Sequence, residues 1–203
     1  MTAVVTVRQA TSDDVPAIVE LRRERAAWLS SRGSDQWSDA GLDEATFTQR
    51  VSASVEGARV WVAVAEGEVI GTIAIDHHAN PGLWTDTELN TSVMAHRMIV
   101  RTDMAGLGVG EILLQKADDV AKAEGRAWVR LDAWTNNEKL HRLYEGYGFR
   151  HVRTVPDYHT SSAALFERRV NEPGWELFSS MLEQCDLGNM NVLAYGCAGN
   201  PPA

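Results

Sequence analysis

Hydrophobic positions along this chain change period several times, and the changes outline its elements. Residues 4–8 alternate as a strand does. Thr11 followed by Asp14 predicts a capped helix start, after which Val15, Ile18, Leu21, Trp28 and Leu29 recur at helical spacing. The polar stretch 32–37 ends that helix, and a second helix is predicted over 43–54. Two apolar β runs, 60–65 and 69–76, flank Glu66-Gly67, a hairpin signal. A loop follows over 77–88 and contains Asn80-Pro81-Gly82. Such loops carry substrate contacts more often than core.

The second half repeats the alternation. Residues 94–100 read as a strand. Residues 111–124 read as a helix with Leu113, Ala117, Val120 and Ala121 on one face, ended by Gly125. A strand is predicted over 128–132. Thr135 with Glu138 has the spacing of a capping box for a helix reaching Tyr147. Residues 149–155 and 163–170 complete the pattern as a hairpin. Helices interleaved with strands in this order predict an α/β fold around a sheet of mixed strand direction. The division expected is one domain over 1–170 and a C-terminal extension over 171–203. That extension reads as a peripheral helix plus a weakly ordered tail, for which a homodimer contact is one use.

Composition narrows the function classes. At 203 residues and 44% hydrophobic content the chain can bury a full single-domain core. No run of eighteen apolar residues is present, so no membrane span is expected. The net charge of −9 disfavours nucleic acid as a partner and suits a cationic substrate. The two cysteines, Cys185 and Cys197, have no metal-ligand spacing, and a reduced cytoplasmic setting is expected.

The most specific chemistry lies in Ala105-Gly106-Leu107-Gly108-Val109-Gly110, between a strand and a helix. Alternating glycines at a helix mouth let main-chain N–H groups crowd an anion, and the helix dipole adds positive charge. A dinucleotide fingerprint needs its third glycine one residue later, where Glu111 stands, and a P-loop needs a following Lys-Ser or Lys-Thr. A purely geometric turn and the diphosphate of coenzyme A remain. A second block follows: Asn137, Leu140, Tyr144, Gly148 and Phe149.

Together the two blocks resemble the Gcn5-related N-acetyltransferase superfamily. Its loop pattern, Gln/Arg-x-x-Gly-x-Gly/Ala, is similar to residues 105–110, with Ala105 where Arg or Gln is usual. Its Asn-x-x-Ala-x-x-x-Tyr-x-x-x-Gly-Phe pattern is similar to 137–149, with Leu140 in place of Ala. The resemblance implies a mixed, mostly antiparallel twisted sheet of about six to seven strands flanked by helices. It implies acetyl-CoA as co-substrate and transfer of the acetyl group to an amine of a small molecule or peptide. Main-chain groups of Met98, Ile99 and Val100 would then meet the pantetheine arm. Residues 105–110 (Ala105, Gly106, Leu107, Gly108, Val109 and Gly110) would hold the diphosphate. Asn137 would bond the arm, Lys139 would reach the adenosine phosphate, and Tyr144 would serve the leaving thiolate as acid.

Acyl transfer to an amine needs a base, because only about one alkyl amine in a thousand is neutral at pH 7. Met94 occupies the strand position where some family members place a glutamate. His96, two residues on and on the same face, is the first candidate, and Glu88 the second. Asp35, Gln36, Trp37, Trp84 and Tyr158 stand in loops expected to line the acceptor pocket. His77-His78 is adjacent on the chain, so its side chains diverge, and no metal site is assigned. Rival readings are a different acyl or aminoacyl-tRNA substrate, or a non-catalytic acyl-CoA sensor.

Overall fold

The computed structural model describes residues 4–34, 36–37, 43–158 and 160–170. The extension 171–203, with its expected helix, cysteines and dimer contact, lies outside the described residues. So does Asp35.

Seven strands form one sheet in the order β1-β2-β3-β4-β5-β7-β6. They are β1 (Thr6–Gln9), β2 (Val60–Ala65), β3 (Glu68–Asp76), β4 (Ser92–Val100), β5 (Trp128–Trp134), β6 (Arg150–Thr154) and β7 (Ser162–Arg169). Every neighbouring pair is antiparallel except β4 and β5. The α/β fold with a mixed, mostly antiparallel sheet is therefore as the sequence implied.

Helices cover both faces. On one lie α1 (Val15–Ser30) and α2 (Glu44–Glu56), packed through Ile18, Phe47 and Val51 onto Val60, Val62 and Ala74. Thr11 and Asp14 close the turn before α1, the Thr11 N–H donating to Asp14 Oδ2 at 2.7 Å. Asp43 caps α2 by accepting from the Thr46 N–H at 2.9 Å. On the other face lie α4 (Val109–Ala123) and α5 (Glu138–Gly146). Val109, Leu113, Leu114, Ala117 and Ala121 of α4 are buried against Ile73, Val93 and Val129. Each of the larger ones contributes roughly 1.5–3 kcal/mol by leaving water. A short helix, α3 (Asp86–Asn90), occupies the end of the stretch expected to be loop.

Two irregularities of β4 open the sheet near its middle. The strand pairs with β5 only through Ser92, Val93 and Met94, so the two diverge beyond Met94 and leave a split in the sheet. The register with β3 also slips, Arg97 and Met98 standing opposite Ile73 alone. Arg97 takes a left-handed φ of 48° at this bulge. A bulge of this kind bends a strand and re-aims its side chains.

Candidate functional site

The glycine loop opens directly onto this split. Gly106 and Gly108 have φ of 82° and 76°, a region in which side chains are strained, and a Cβ at either would project into open space. Gly108 is the residue that starts α4. Ala105 and Leu107 turn inward, their N–H groups donating to Thr102 and Met104 carbonyls at 3.3 Å each. The N–H groups of Gly106, Gly108, Val109 and Gly110 find no acceptor among the described residues. Orphan amides at a helix start with room before them form an anion cradle, and a diphosphate fits it. Gly110 serves a second purpose: a Cβ there would stand 3.1 Å from the Tyr147 hydroxyl, so its absence lets α5 close on α4. Burial, with Glu111 nearby, pushes the Tyr147 phenol up to about 12. The Leu107 side chain is exposed, and that of Val109 is core.

Along the split itself, strand alternation decides which main-chain groups are available. Arg101 donates its N–H to Ile70 on β3 at 2.9 Å. Groups of Ile99 therefore also face β3, and its side chain is buried with α1 and α2. The expectation that Ile99 meets the pantetheine arm is corrected on this ground. Val100 and, two residues before it, Met98 face the split. The Val100 carbonyl is already taken by the Arg25 guanidinium, which leaves its N–H for a ligand.

Tyr144 reaches the split from α5. Its ring is buried against Phe149 and Phe166, with centroids 5.9 Å from each. Its hydroxyl finds no partner among the described residues. Burial raises the phenol well above its ordinary value, and the charge of Asp132 adds to this. Tyr144 is thus a better hydrogen-bond donor to a departing thiolate than a source of a free proton.

Cross-strand partners share a face, so Asp76 lies with Met94, Ala74 with His96, and Asp132 with Leu165. Met94 and Leu165 belong to one buried cluster, which puts Asp76, His96 and Asp132 on the face of α1 and α2, opposite the glycine loop. His96 Nε2 is 3.1 Å from Asp76 Oδ1. Burial pushes Asp76 up. The bond to His96, that residue's charge and the His78 N–H more than offset this and hold the carboxyl below its usual range. An ionised carboxylate only accepts, so Nε2 carries the hydrogen, and in the neutral ring the lone pair is then on Nδ1.

The remaining expected residues divide. Glu88 is not available as a base. Both its oxygens bind Arg153, at 2.8 and 2.9 Å, and it caps α3 by accepting from the Thr85 N–H at 2.7 Å. The Arg153 bond, opposed by partial burial, holds its carboxyl down at about 2. Trp84 is also corrected: it is buried with Leu83 and Met94, between the guanidinium groups of Arg130 and Arg153. Tyr158 is tied to the loop 77–85, donating to the Pro81 carbonyl at 2.8 Å; burial, with the charge of Asp132, pushes its phenol up. Asn137, not Thr135, is the α5 cap: its Oδ1 accepts from the Leu140 N–H at 3.1 Å. Its Nδ2 donates to Gln36 Oε1 at 3.0 Å, joining the loop after α1 to the far end of the split. Trp37 beside it is half-buried with a left-handed φ of 68°. Lys139 is exposed on α5. No cluster of metal-ligating groups is found among the described residues.

Comparison with known proteins agrees with this geometry. The acetyltransferase (GNAT) domain family matches residues 56–151, which run from the end of α2 into the start of β6. An uncharacterised N-acetyltransferase of Bacillus subtilis, YesJ, is 28% identical over 165 residues, covering 79% of this chain and 88% of that protein. A GNAT-family acetyltransferase from Listeria monocytogenes superposes with a TM-score of 0.67 at 24% identity, covering 83% of this chain and 98% of the other. The PaiA N-acetyltransferase of Thermoplasma acidophilum, solved in complex with coenzyme A, superposes with a TM-score of 0.66 at 17% identity, covering 82% and 99%. Over residues 56–151 the chain is thus similar to the Gcn5-related N-acetyltransferases, and its fold is shared with structures solved with coenzyme A or acetyl-CoA.

Proposed function

We propose that this N-acetyltransferase moves the acetyl group of acetyl-CoA to a primary amine of a small molecule or peptide, by direct attack in a ternary complex. The observation that carries the reading is the split sheet. The anion cradle lies on one face, the His96–Asp76 pair on the other, and the gap between β4 and β5 joins them.

Each group has a defined task. The loop amides of Gly106, Gly108, Val109 and Gly110 hold the diphosphate, and Asn137 borders the arm. The Met98 N–H, facing the split, meets the thioester oxygen as negative charge develops there. His96 Nδ1 takes one proton from the ammonium, and the neutral nitrogen attacks the thioester carbon. The C–S bond breaks, and the second proton lost from nitrogen goes to sulfur, with Tyr144 donating a hydrogen bond to the thiolate as it leaves. No cysteine occurs among the described residues, which supports passage of the acetyl group without a covalent enzyme intermediate. Gln36, Trp37 and Tyr158 line the acceptor side. No described helix is long and apolar enough to cross a membrane. The −9 charge supports an amine rather than nucleic acid as the partner, and the low cysteine content supports a cytoplasmic setting.

Calorimetry with acetyl-CoA, followed by free-thiol release with a panel of amines, tests the reading. Tyr144→Phe is expected to bind acetyl-CoA as the native protein does while kcat falls about tenfold, the scale of a lost hydrogen bond to a charged group. Uptake of acetyl-CoA with unaltered turnover in Tyr144→Phe would remove Tyr144 from the mechanism. Uptake with no turnover of any amine would favour an acyl-CoA sensor.

A further inference from the structure

Asp132 on β5 is a carboxyl that the fold leaves uncompensated. Its Oδ1 is sealed from solvent and has no hydrogen-bond partner among the described residues. Its Oδ2 meets only the Asn80 Nδ2, at a long 3.4 Å. Asp132 is half-buried as a residue, and the fully buried acids of this chain are treated differently. Asp118 pairs with Arg168 at 2.8 Å, Glu167 with Arg130 at 2.8 Å, and Asp14 with Arg8 at 2.7 Å. A buried carboxylate without a cation is costly, and unsatisfied polar groups of this kind are kept where function requires them.

Its surroundings say which cation is missing. Asp132 shares a sheet face with His96 and Asp76, and beyond Met94 no β5 pairing stands between it and β4. Burial pushes its carboxyl up, opposed by the charge of His96 and by the Asn80 bond, so a cation bound there would offset the cost of burial. The carboxyl therefore shares the face of the base and lies beside the gap between β4 and β5.

We propose that Asp132 is the docking carboxylate for the ammonium group of the acceptor, and so selects acceptors that carry positive charge before reaction. This deepens the reading above and rests on it. The acceptor enters as R–NH3+ and donates one N–H to Asp132. His96 Nδ1 removes a second proton, and the lone pair so freed attacks the thioester carbon. In the ion pair Asp132 accepts from the amine N–H, which fixes the direction of the lone pair. The amide product has no charge, so the ion pair ends with the reaction and release follows. Asp132 binds and orients; the proton is moved by His96.

The test compares acceptors that differ in charge at pH 7. Benzylamine and other primary alkyl amines are cations there, whereas aniline and acyl hydrazides are neutral. In Asp132→Asn the KM for the best alkyl amine is expected to rise at least about tenfold, the scale of one charged hydrogen bond. The KM for the neutral acceptors and the calorimetric affinity for acetyl-CoA should not move. Asp132→Glu, which keeps the charge, should recover part of the alkyl-amine affinity, and thermal melting establishes that both variants are folded. An unchanged KM for the alkyl amine overturns the proposal. So does an equal loss for charged and neutral acceptors, or a native enzyme that takes up acetyl-CoA yet acetylates only neutral amines or none of the panel. Failure of the native protein to take up acetyl-CoA is a separate result: it overturns the transfer reading and this proposal together.

Discussion

The two faces of the split sheet are built from different materials. On the side of α4 the chemistry is main-chain: amides at positions 106, 108, 109 and 110 and the strand groups of Met98 and Val100. Toward α1 and α2 it is side-chain: Asp76 from β3, His96 from β4 and Asp132 from β5, bordered by residues of three loops. A nucleotide common to every reaction of the class can be held by backbone, which changes little with sequence. An acceptor that differs from enzyme to enzyme is met by side chains, which can be exchanged without disturbing the sheet.

Gly108→Val attacks the main-chain side most directly. A branched side chain at φ 76° is strained and would fill the anion cradle. Acetyl-CoA affinity is expected to fall about a hundredfold by calorimetry, from strain and lost amide contacts of roughly 3 kcal/mol together. Binding within a few-fold of native would show that the loop amides are not the cradle.

His96→Gln attacks the opposite face and should give the reverse pattern. Acetyl-CoA affinity stays constant while kcat for an alkyl amine drops by about 10² to 10⁴. A kcat within a few-fold of native would remove His96 from the mechanism.

Glu88→Gln belongs to neither face and sharpens the contrast. Activity should be unchanged, with a stability loss of about 1 kcal/mol at pH 7 once solvent screening of the Arg153 pair is allowed for. The folded carboxyl sits at about 2 and its unfolded counterpart near 4.3. The lowered value means that this stabilisation is complete above about pH 5 and is lost as pH falls toward 2. Urea melts of the two proteins should therefore converge near pH 2; a constant gap across pH would point to lost packing instead of lost charge.

Legibility in the sequence divides along the same line. Hydrophobic period located all seven strands and four of the helices, because each strand and helix buries its own periodic face. Gly106 and Gly108 were readable because a left-handed backbone at a helix start leaves few residue choices. The His96–Asp76 pair was half legible: His96 came from its place on the strand, but Asp76 is twenty residues earlier and meets it only through β3–β4 register. Asp132 gave no local signal, since an orphaned carboxyl is a property of what does not surround it. Glu88 was misread although its signal was present. Thr85 and Glu88 have capping-box spacing, the same clue that located Asp14, and α3 follows from it. Trp84 stands in a stretch that reads as a substrate-contacting loop, where an aromatic suits a cation, yet Leu83 and Met94 draw the indole into a satellite core.

The three-residue union of β4 with β5 has a mechanical consequence. Four strands on one side and three on the other are held like the arms of tongs, fastened at one end and lacking rungs toward the tip. A pantetheine chain threaded between the arms supplies those rungs. Occupancy should therefore add resistance to unfolding in proportion to the logarithm of nucleotide concentration, and slow hydrogen exchange most strongly at the tip.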